Sequence, residues 1–468
     1  MIPAAGVAGA RIGVFGLGRS GLAAARAIAA GGGTPVCGDD RAAAREAARG
    51  LGFETADLSD AAAVRDLDRL LLSPGAAHLY PAPHPAAATA AALGVPLDND
   101  VGLFFATLEA FAPEARVAAI TGSNGKSTTA ALLHHLLLES GAEAQLGGNI
   151  GRGVFDLDPP SAPSGAGAIF VLELSSYQTD LASRLAPDVA ILTNLTPDHL
   201  DRHGGLGGYL AAKRRLFTDR APMLSLIGVD EPEGRFLAQT LPRPTTGAVR
   251  RVSVAAPLSG DPAAIIAEDG ALSLRGAPDG TEWRFDLSAL TRLPGRHNHQ
   301  NIAHAAAAAA HLGATREAIR AGLESFPGLD HRLQTVTVKN GVTYVNDSKA
   351  TNAEAAEQAL SAYPDARWIA GGRAKEGGID RLKPLFPMLT KAYLIGESAE
   401  AFASAIQPAA PTELCATLAQ AVARAAAEAR PGETVLLSPA AASFDQFESF
   451  EARGRAFAAA VEAIAPAP

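Results

Sequence analysis

Ile120-Thr121-Gly122-Ser123-Asn124-Gly125-Lys126-Ser127-Thr128-Thr129 is the stretch that decides the fold. Ahead of it, Arg116-Val117-Ala118-Ala119-Ile120 reads as a short buried strand, and residues 130–140 read as a helix. Gly122 and Gly125 let the backbone turn tightly, so that Gly122, Ser123, Asn124 and Gly125 can aim N–H groups at one anion. The helix start carrying Ser127 and Thr128 adds about half a positive charge, and Lys126 adds a full one. Ser127 can offer its hydroxyl to Mg²⁺. The commoner phosphate loop has a glycine where Ile120 stands, so this is a shorter T-G-x-x-G-K-S-T form. The plain alternative is an ordinary helix-start loop. Gly-Lys-Ser-Thr-Thr between a strand and a helix favours a nucleoside triphosphate site over it.

The 468 residues exceed what one core supports, which predicts two or three domains. Hydrophobic residues make up 48%, a globular composition, and the formal net charge of -9 argues against a nucleic-acid partner. Cys37 and Cys415 form neither a disulfide framework nor a metal cluster, which suits the reducing cytoplasm. Residues 1–10 lack the pattern of a secretion signal. No apolar run reaches the roughly 18 residues of a membrane span. The alanines at 305–310 read as a tightly packed helix.

Working outward, Arg11-Ile12-Gly13-Val14-Phe15 is a strand followed by Gly16-Leu17-Gly18-Arg19-Ser20-Gly21 and a helix through residue 30. A second strand at 34–37 leads to Asp39 and Asp40. This is G-x-G-x-x-G in its strand–turn–helix context, with an acid about 20 residues on. It fits any ligand with a diphosphate and a ribose. Arg69-Leu70-Leu71-Leu72-Ser73-Pro74-Gly75 repeats the strand-then-glycine theme, and residues 98–105 are expected to close this domain.

In the second segment, Ala168-Ile169-Phe170-Val171-Leu172 is a buried run ending on Glu173. Val189-Ala190-Ile191-Leu192-Thr193 is another, ending in Asn194-Leu195-Thr196-Pro197-Asp198-His199-Leu200-Asp201. Ligands of open α/β sheets sit at the carboxyl ends of strands. Three strand ends therefore present Lys126 with Ser127, Glu173, and His199 on one edge. Residues 250–286 are turn-rich and predict a small β excursion. The third segment places strands at 342–346, 368–370, 392–395 and 434–437 among helical stretches, again α/β. The expected fold is α/β with three domains in series. A Rossmann-like domain spans 1–105, a P-loop ATPase-type parallel-sheet domain 106–327, and a Rossmann-like domain 328–468.

These residues resemble the Mur ligases, ATP-dependent amide-forming enzymes of peptidoglycan precursor synthesis, over nearly the full length. The resemblance rests on the two glycine loops, Gly147-Gly148-Asn149-Ile150-Gly151 and Glu173-Leu174-Ser175-Ser176-Tyr177-Gln178. It continues through residues 194–201, Leu293-Pro294-Gly295-Arg296-His297-Asn298, His331-Arg332 and Asn346-Asp347-Ser348-Lys349-Ala350-Thr351-Asn352. It ends in Leu437-Ser438-Pro439-Ala440-Ala441-Ala442-Ser443-Phe444-Asp445-Gln446-Phe447, where many relatives carry a cysteine in place of Ala441. The asparagine-bounded run and the terminal run are the more discriminating, and point to the members that join D-glutamate to UDP-N-acetylmuramoyl-L-alanine.

That resemblance implies a cytoplasmic monomer using ATP and Mg²⁺. The substrate carboxylate is phosphorylated, and D-glutamate's amine attacks the acyl phosphate. Lys126 is implied at the phosphates, with Ser127, Glu173 and His199 on Mg²⁺. Asn298, Arg332 and Asp347 are implied on the nucleotide, so that ATP bridges two domains and the C-terminal domain closes over the site. Gly18, Ser20, Asp39 and Gly75 are implied on the UDP, with the choice between Asp39 and Asp40 left open. Asn149, Ser175, Gln178 and Asp198 are implied near the muramoyl-alanine part. Lys349, Thr351, Lys375, Ser443 and Phe450 are implied on D-glutamate; an ordinary surface lysine is an equal reading of Lys375.

Lys213 matches the position of a carbamylated lysine that holds a second Mg²⁺. Read from its neighbours alone, it is a surface lysine on a charged helix face beside Arg214 and Arg215. Carbamylation needs the neutral amine, about 0.04% of an unperturbed lysine at pH 7. The adjacent arginines are expected to raise that fraction by like-charge repulsion.

Other readings compete. A folylpolyglutamate synthase would lack the first segment, and no Asp-Asn-Pro-Arg run for diaminopimelate is present. A nicotinamide oxidoreductase leaves Lys126, Glu173, His199 and the third segment unused. An ATP-binding assembly protein without catalysis is disfavoured by the filled catalytic positions.

Overall fold

The computed structural model describes residues 1–241, 247–255, 258, 265–268, 270–288, 290, 292–293, 295–375 and 377–465. Pro294 of the 293–298 run and parts of the 250–286 region lie outside the described residues.

Each sequence segment forms one sheet. In the first, β1 (Arg11–Phe15), β2 (Thr34–Gly38), β3 (Glu54–Thr55), β4 (Arg69–Leu72) and β5 (Leu97–Asp98) lie in the order β3-β2-β1-β4-β5, all parallel. The β1 run is apolar at almost every position because helices cover both faces of such a sheet. Helix α1 (Arg19–Ala30) leaves β1 through the glycine turn. Helix α2 (Asp100–Phe111) follows β5, with the Asn99 side chain accepting the Gly102 N–H as its cap.

The second sheet contains β6 (Arg116–Thr121), β7 (Glu143–Gly148), β8 (Ala168–Glu173), β9 (Val189–Leu192), β10 (Leu224–Gly228), β11 (Ala248–Ser253), β12 (Ile265–Glu268), β13 (Ala271–Leu274) and β14 (Trp283–Asp286). Their order is β14-β13-β12-β11-β10-β9-β6-β8-β7. Pairs from β7 to β12 are parallel; β13 and β14 run antiparallel as the expected β excursion. Helix α3 (Lys126–Glu139) follows β6, and α4 (Ser176–Leu181) follows β8. Helices α5 (Leu200–His203) and α6 (Leu206–Thr218) follow β9. Because β8, β6 and β9 are parallel neighbours, their loops leave one edge, at the switch in strand order where ligands of such sheets bind. Helix α7 (Arg296–His311) contains the six alanines, all buried.

The third sheet contains β15 (Gln334–Lys339), β16 (Val342–Asn346), β17 (Arg367–Gly371), β18 (Lys391–Ile395), β19 (Thr412–Leu414) and β20 (Thr434–Leu437). The order is β15-β16-β20-β17-β18-β19, parallel except for β15. Helix α8 (Ala353–Ala362) follows β16, and α9 (Phe450–Glu462) ends the chain's regular structure.

The chain divides into two compact units. One comprises Met1–Ser288 and His299–Ser325; the other comprises Ala289–Asn298 and Phe326–Pro468. Within the first unit one apolar cluster runs through both sheets, and a second packs on the other face of the first sheet's strands. Phe104 on α2 meets Phe155 and Phe170 edge-on, with centroids 5.7 Å apart in both pairs. Asp98, fully buried, accepts from Arg69 at 2.7 Å and from the backbone and hydroxyl of Ser183 at 2.7 and 2.6 Å. The first segment is thereby tied to the second by both apolar and polar contacts. Among the described residues no helix is long and apolar enough to cross a membrane.

Candidate active site

The phosphate loop is built by packing on its neighbours. Gly125 caps α3 at φ 81°, and a Cβ there would fall 2.2 Å from the Asn301 side-chain oxygen. Gly122 adopts φ 146° against Thr193 Oγ1. Only glycine suits both the left-handed backbone and the close approach. Asn124 N–H donates to Asn194 Oδ1 at 2.9 Å, and the Asn124 carbonyl accepts from Thr193 and Asn194. Ser123 Oγ meets Thr196 O at 2.8 Å and Tyr209 Oη at 3.0 Å. Thr128 is buried on the first turn of α3. Lys126 folds back over the loop, donating to Gly122 O at 2.9 Å and Ser123 O at 2.7 Å.

Buried Ser127 and Glu173 are joined by a 2.5 Å hydrogen bond from hydroxyl to Glu173 Oε2. The other carboxylate oxygen accepts from Asn149 Nδ2 at 3.0 Å, and the Glu173 carbonyl accepts Asn149 N–H at 2.8 Å. A hydroxyl facing a carboxylate at the end of a parallel strand is a hard-oxygen donor pair of the kind Mg²⁺ takes, so the residues fit the ion the sequence implies. Among the described residues no group of three or more His, Cys, Asp or Glu is arranged to hold a metal.

Lys213 departs from its neighbour-based reading. It is 1% exposed, on the α6 stripe formed by Tyr209, Ala212, Leu216 and Phe217. Its Nζ donates to Gly122 O at 2.8 Å and Thr121 Oγ1 at 3.2 Å, and sits 4.6 Å over the Tyr209 ring. Burial, and then the charge of Lys126, push its pKa well below the ordinary lysine value; Asp198 and Glu173 oppose this. The flanking arginines are not the cause. Arg215 donates to the carbonyls of Thr179, Asp180 and Ala182 at the end of α4, and Arg214 to that of Thr240. The signal was available: i, i+3, i+4 and i+7 from Tyr209 put Lys213 on the apolar face.

His199 caps α5 in the left-handed region at φ 54°, 3.3 Å from Asp198 Oδ2. Its ring lies 5.0 Å from Tyr177. Ser175 and Gln178 bind each other in a capping box at the start of α4. Arg202 lies 4.5 Å over the Tyr177 ring and donates to the carbonyls of Pro74 and Gly75 at 3.2 and 3.4 Å.

In the first sheet Asp39 braces the glycine loop. Its Oδ2 accepts Leu17 N–H at 2.7 Å, while Oδ1 accepts the backbone N–H and Nε of Arg41. Burial alone would raise its pKa; these bonds outweigh it and hold the carboxyl below its usual value. The neighbouring acid, Asp40, is exposed and meets His84 at 3.3 Å. Both acids border a cavity of about 290 Å³ also lined by Phe15, Arg45 and Ser59. Gly18 caps α1, and Ser20 borders a smaller hollow with Ser73 and Asp100.

In the second unit, buried Asp347 accepts Leu333 N–H at 3.2 Å and Ser438 Oγ at 2.8 Å. Burial pushes its pKa up to about 7, against those bonds and the charge of nearby Arg332. Lys349 Nζ lies 3.9 Å over the Phe450 ring, and Thr351 N–H donates to the Lys349 carbonyl at 2.8 Å. Ser443 is buried, Lys375 exposed, and Asn298 buried in the first turn of α7. Sequence reasoning missed Arg453, 1% exposed, which donates to Ser348 Oγ and O and to Ala441 O. It also missed Asn194, Tyr209 and Asn301. Asn301 lies one helical turn beyond Asn298, a spacing visible in the sequence.

Residues 120–309 match the model of the Mur ligase middle domain, and residues 331–441 that of the Mur ligase glutamate ligase domain. The chain is 54% identical over 470 residues to a UDP-N-acetylmuramoylalanine--D-glutamate ligase of Ruegeria pomeroyi, covering 99% of each chain. It is 53% identical over 477 residues to the enzyme of that name from Cereibacter sphaeroides, covering 99% and 100%. Among solved structures it is similar to UDP-N-acetylmuramate-alanine ligase of Thermotoga maritima, with a TM-score of 0.59 at 16% identity over 97% and 99% of the two chains. It is also similar to a UDP-N-acetylmuramoylalanyl-D-glutamyl-2,6-diaminopimelate--D-alanyl-D-alanyl ligase of Acinetobacter baumannii, with a TM-score of 0.56 at 19% identity over 78% and 79%. At these identities the two structures speak to the fold alone.

Proposed function

The chain belongs to the Mur ligase family, and from that premise we propose that it joins D-glutamate to UDP-N-acetylmuramoyl-L-alanine in an ATP-dependent ligation through an acyl phosphate. The observation that carries this is the full-length match to D-glutamate ligases. A phosphate loop beside a buried hydroxyl–carboxylate pair supports it.

In the proposed reaction a carboxylate oxygen of the alanine end attacks the γ-phosphorus of ATP, and the bridging bond breaks with its electrons going to ADP. The D-glutamate amine then attacks the acyl carbon, phosphate leaves, and the amine proton is lost. The first step brings two anions together, so fixed positive charge is what this chain must supply. Lys126 and the start of α3 supply it. Ser127 and Glu173, with His199, would hold Mg²⁺, which when bound adds charge neutralisation at the phosphates. Asn149, by bonding Glu173, holds that carboxylate in place.

Lys213 is proposed to carry a carbamate. Its neutral amine adds to CO₂, a proton leaves, and a buried cation becomes an anion suited to a second Mg²⁺. Burial and the bonds to Thr121 and Gly122 support this. We assign Gly18, Ser20, Asp39 and Gly75 to the UDP end, with Asp39 acting through the loop it braces. Asn149, Ser175, Gln178 and Asp198 are assigned to the muramoyl-alanine end. In the second unit, Asn298, Arg332 and Asp347 are assigned to ATP, and Lys349, Thr351, Lys375, Ser443 and Phe450 to D-glutamate. We propose domain limits of 1–105, 106–327 and 328–468. ATP and UDP-sugars are cytoplasmic metabolites, and the cytoplasm is the compartment we assign.

Phosphate release with UDP-N-acetylmuramoyl-L-alanine and a panel of amino acids tests the proposal. Turnover with D-glutamate alone is expected. Equal turnover with L-glutamate, or none with any amino acid, overturns it.

A further inference from the structure

Glu173, His199 and Lys213 stand on three separate elements, the end of β8, the cap of α5 and the middle of α6. One buried side chain touches the structure carrying each of them. His203 ends α5, and its side chain is 1% exposed. Its Nε2 hydrogen-bonds Ser176 Oγ at 2.9 Å, on the first residue of α4 and three residues beyond Glu173. Its ring stacks on Tyr177 at 5.6 Å with an interplanar angle of 25°, and Tyr177 lies 5.0 Å from the His199 ring. The His203 ring also meets that of Tyr209, with centroids 5.4 Å apart at 49°. Tyr209 stands one turn ahead of Lys213 on α6, with the Lys213 ammonium 4.6 Å over its ring and its hydroxyl on Ser123 of the phosphate loop. A column of successive side-chain contacts therefore links Lys213, Tyr209, His203, Tyr177 and His199, with one hydrogen bond to the loop after Glu173.

Close packing makes this column specific. A Cβ on Gly208 would fall 1.9 Å from the His203 carbonyl, so α5 and α6 approach this closely only because residue 208 is glycine. A single-turn helix such as α5 has little stability of its own, and its register must come from what its side chains grip. Nδ1 of His203 lies 3.4 Å from Asp180 Oδ2 without hydrogen-bond alignment. The bond to Ser176 is thus the ring's one aligned polar contact among the described residues.

We propose that His203 is a positioning residue that fixes Glu173, His199 and Lys213 relative to one another through Ser176, Tyr177 and Tyr209. This rests on the assignment of those three residues to Mg²⁺ in the proposed function. Groups that orient metal ligands from behind are typically worth about 10–100-fold in metal affinity.

The test measures Mn²⁺ binding to the full-length protein by EPR titration, with no turnover, beside the Mg²⁺ dependence of ADP release. His203→Phe keeps the ring in the column and removes the bond to Ser176; His203→Gln keeps an amide able to donate or accept near the Nε2 position. About tenfold weaker Mn²⁺ binding is expected in His203→Phe, with a parallel rise in the Mg²⁺ needed for half-maximal rate, little change in KM for D-glutamate, and recovery of most of the loss in His203→Gln. Wild-type Mn²⁺ affinity in His203→Phe overturns the proposal, as does equal loss in both variants with equally lowered melting temperature. Should His203→Phe not fold, Ser176→Ala is expected to weaken Mn²⁺ binding several-fold, and unchanged affinity there overturns the proposal. Glu173→Gln separates the two levels. Loss in Glu173→Gln with none in His203→Phe overturns the positioning role alone, and loss in neither overturns the metal assignment as well.

Discussion

Lys126 and Lys213 donate to one acceptor: the Gly122 carbonyl oxygen lies 2.9 Å from one ammonium nitrogen and 2.8 Å from the other. Lys213 is the buried one of the two. Burial, and then repulsion from Lys126, drive it toward the neutral amine. In the proposed reaction that amine takes up CO₂, while Lys126 faces the phosphates.

Replacing Lys126 by Ala should lower ADP release by at least about 10²–10³-fold, the usual effect of removing a group that stabilises developing charge. The melting temperature should stay within a few degrees of wild type. A steady-state assay beside a thermal melt checks this, and a near-normal rate would exclude Lys126 from the reaction.

Lys213→Ala should lose at least about tenfold in activity, as expected for loss of a group that organises a metal site. A short carboxylic acid such as acetate should restore part of it by taking the place of the carbamate. Wild-type activity should fall in CO₂-free buffer and return with bicarbonate. Full activity in the variant, or indifference to CO₂ together with no rescue, would falsify the carbamate.

Asp98→Ala should destabilise the first unit by about 1.5–3 kcal/mol, the usual worth of hydrogen bonds to a charged group, because it removes the acceptor of Arg69 and Ser183 while both of those can turn to solvent. Urea denaturation followed by fluorescence measures this. A change below about 1 kcal/mol would show that the contact does not hold the two segments together.

Asp100, buried at the start of α2, has its pKa pushed up to about 6, chiefly by burial. A raised value means the folded state binds the proton more tightly than the unfolded one. Its contribution to stability is therefore full at low pH and is lost as pH rises toward 6. Asp100→Asn should gain on wild type across that interval, by at most about 3 kcal/mol at neutral pH. Denaturation at pH 4 and pH 7 reads the sign, and a variant that gains instead toward low pH contradicts it.

Much of the frame was legible in the sequence. The apolar runs at 116–120, 168–172 and 189–193 became β6, β8 and β9, and the residues after them lie on one sheet edge. The loop glycines were legible because a tight turn before a helix requires them. Lys213 was misread from its immediate neighbours, since adjacent residues on a helix face different ways; the helical period was the better guide. Asp39 was recognised, but not its use in bracing Leu17. Arg453 carried no local signal, because Ser348, whose hydroxyl and carbonyl it ties, lies 105 residues away.

By itself, then, the sequence determined the α/β alternation, the two phosphate-type turns and the family resemblance, because periodicity and turn chemistry are set by residues near one another in the chain. Tertiary structure alone decided that Lys213 is dry and shares its acceptor with Lys126, that Ser127 and Asn149 clamp Glu173, and that His203 touches the elements bearing three candidate ligands. The Ser127–Glu173 and Gly122–Lys213 contacts span 46 and 91 residues. Whether such distant groups meet, and whether water reaches them when they do, is set by how sheets and helices pack.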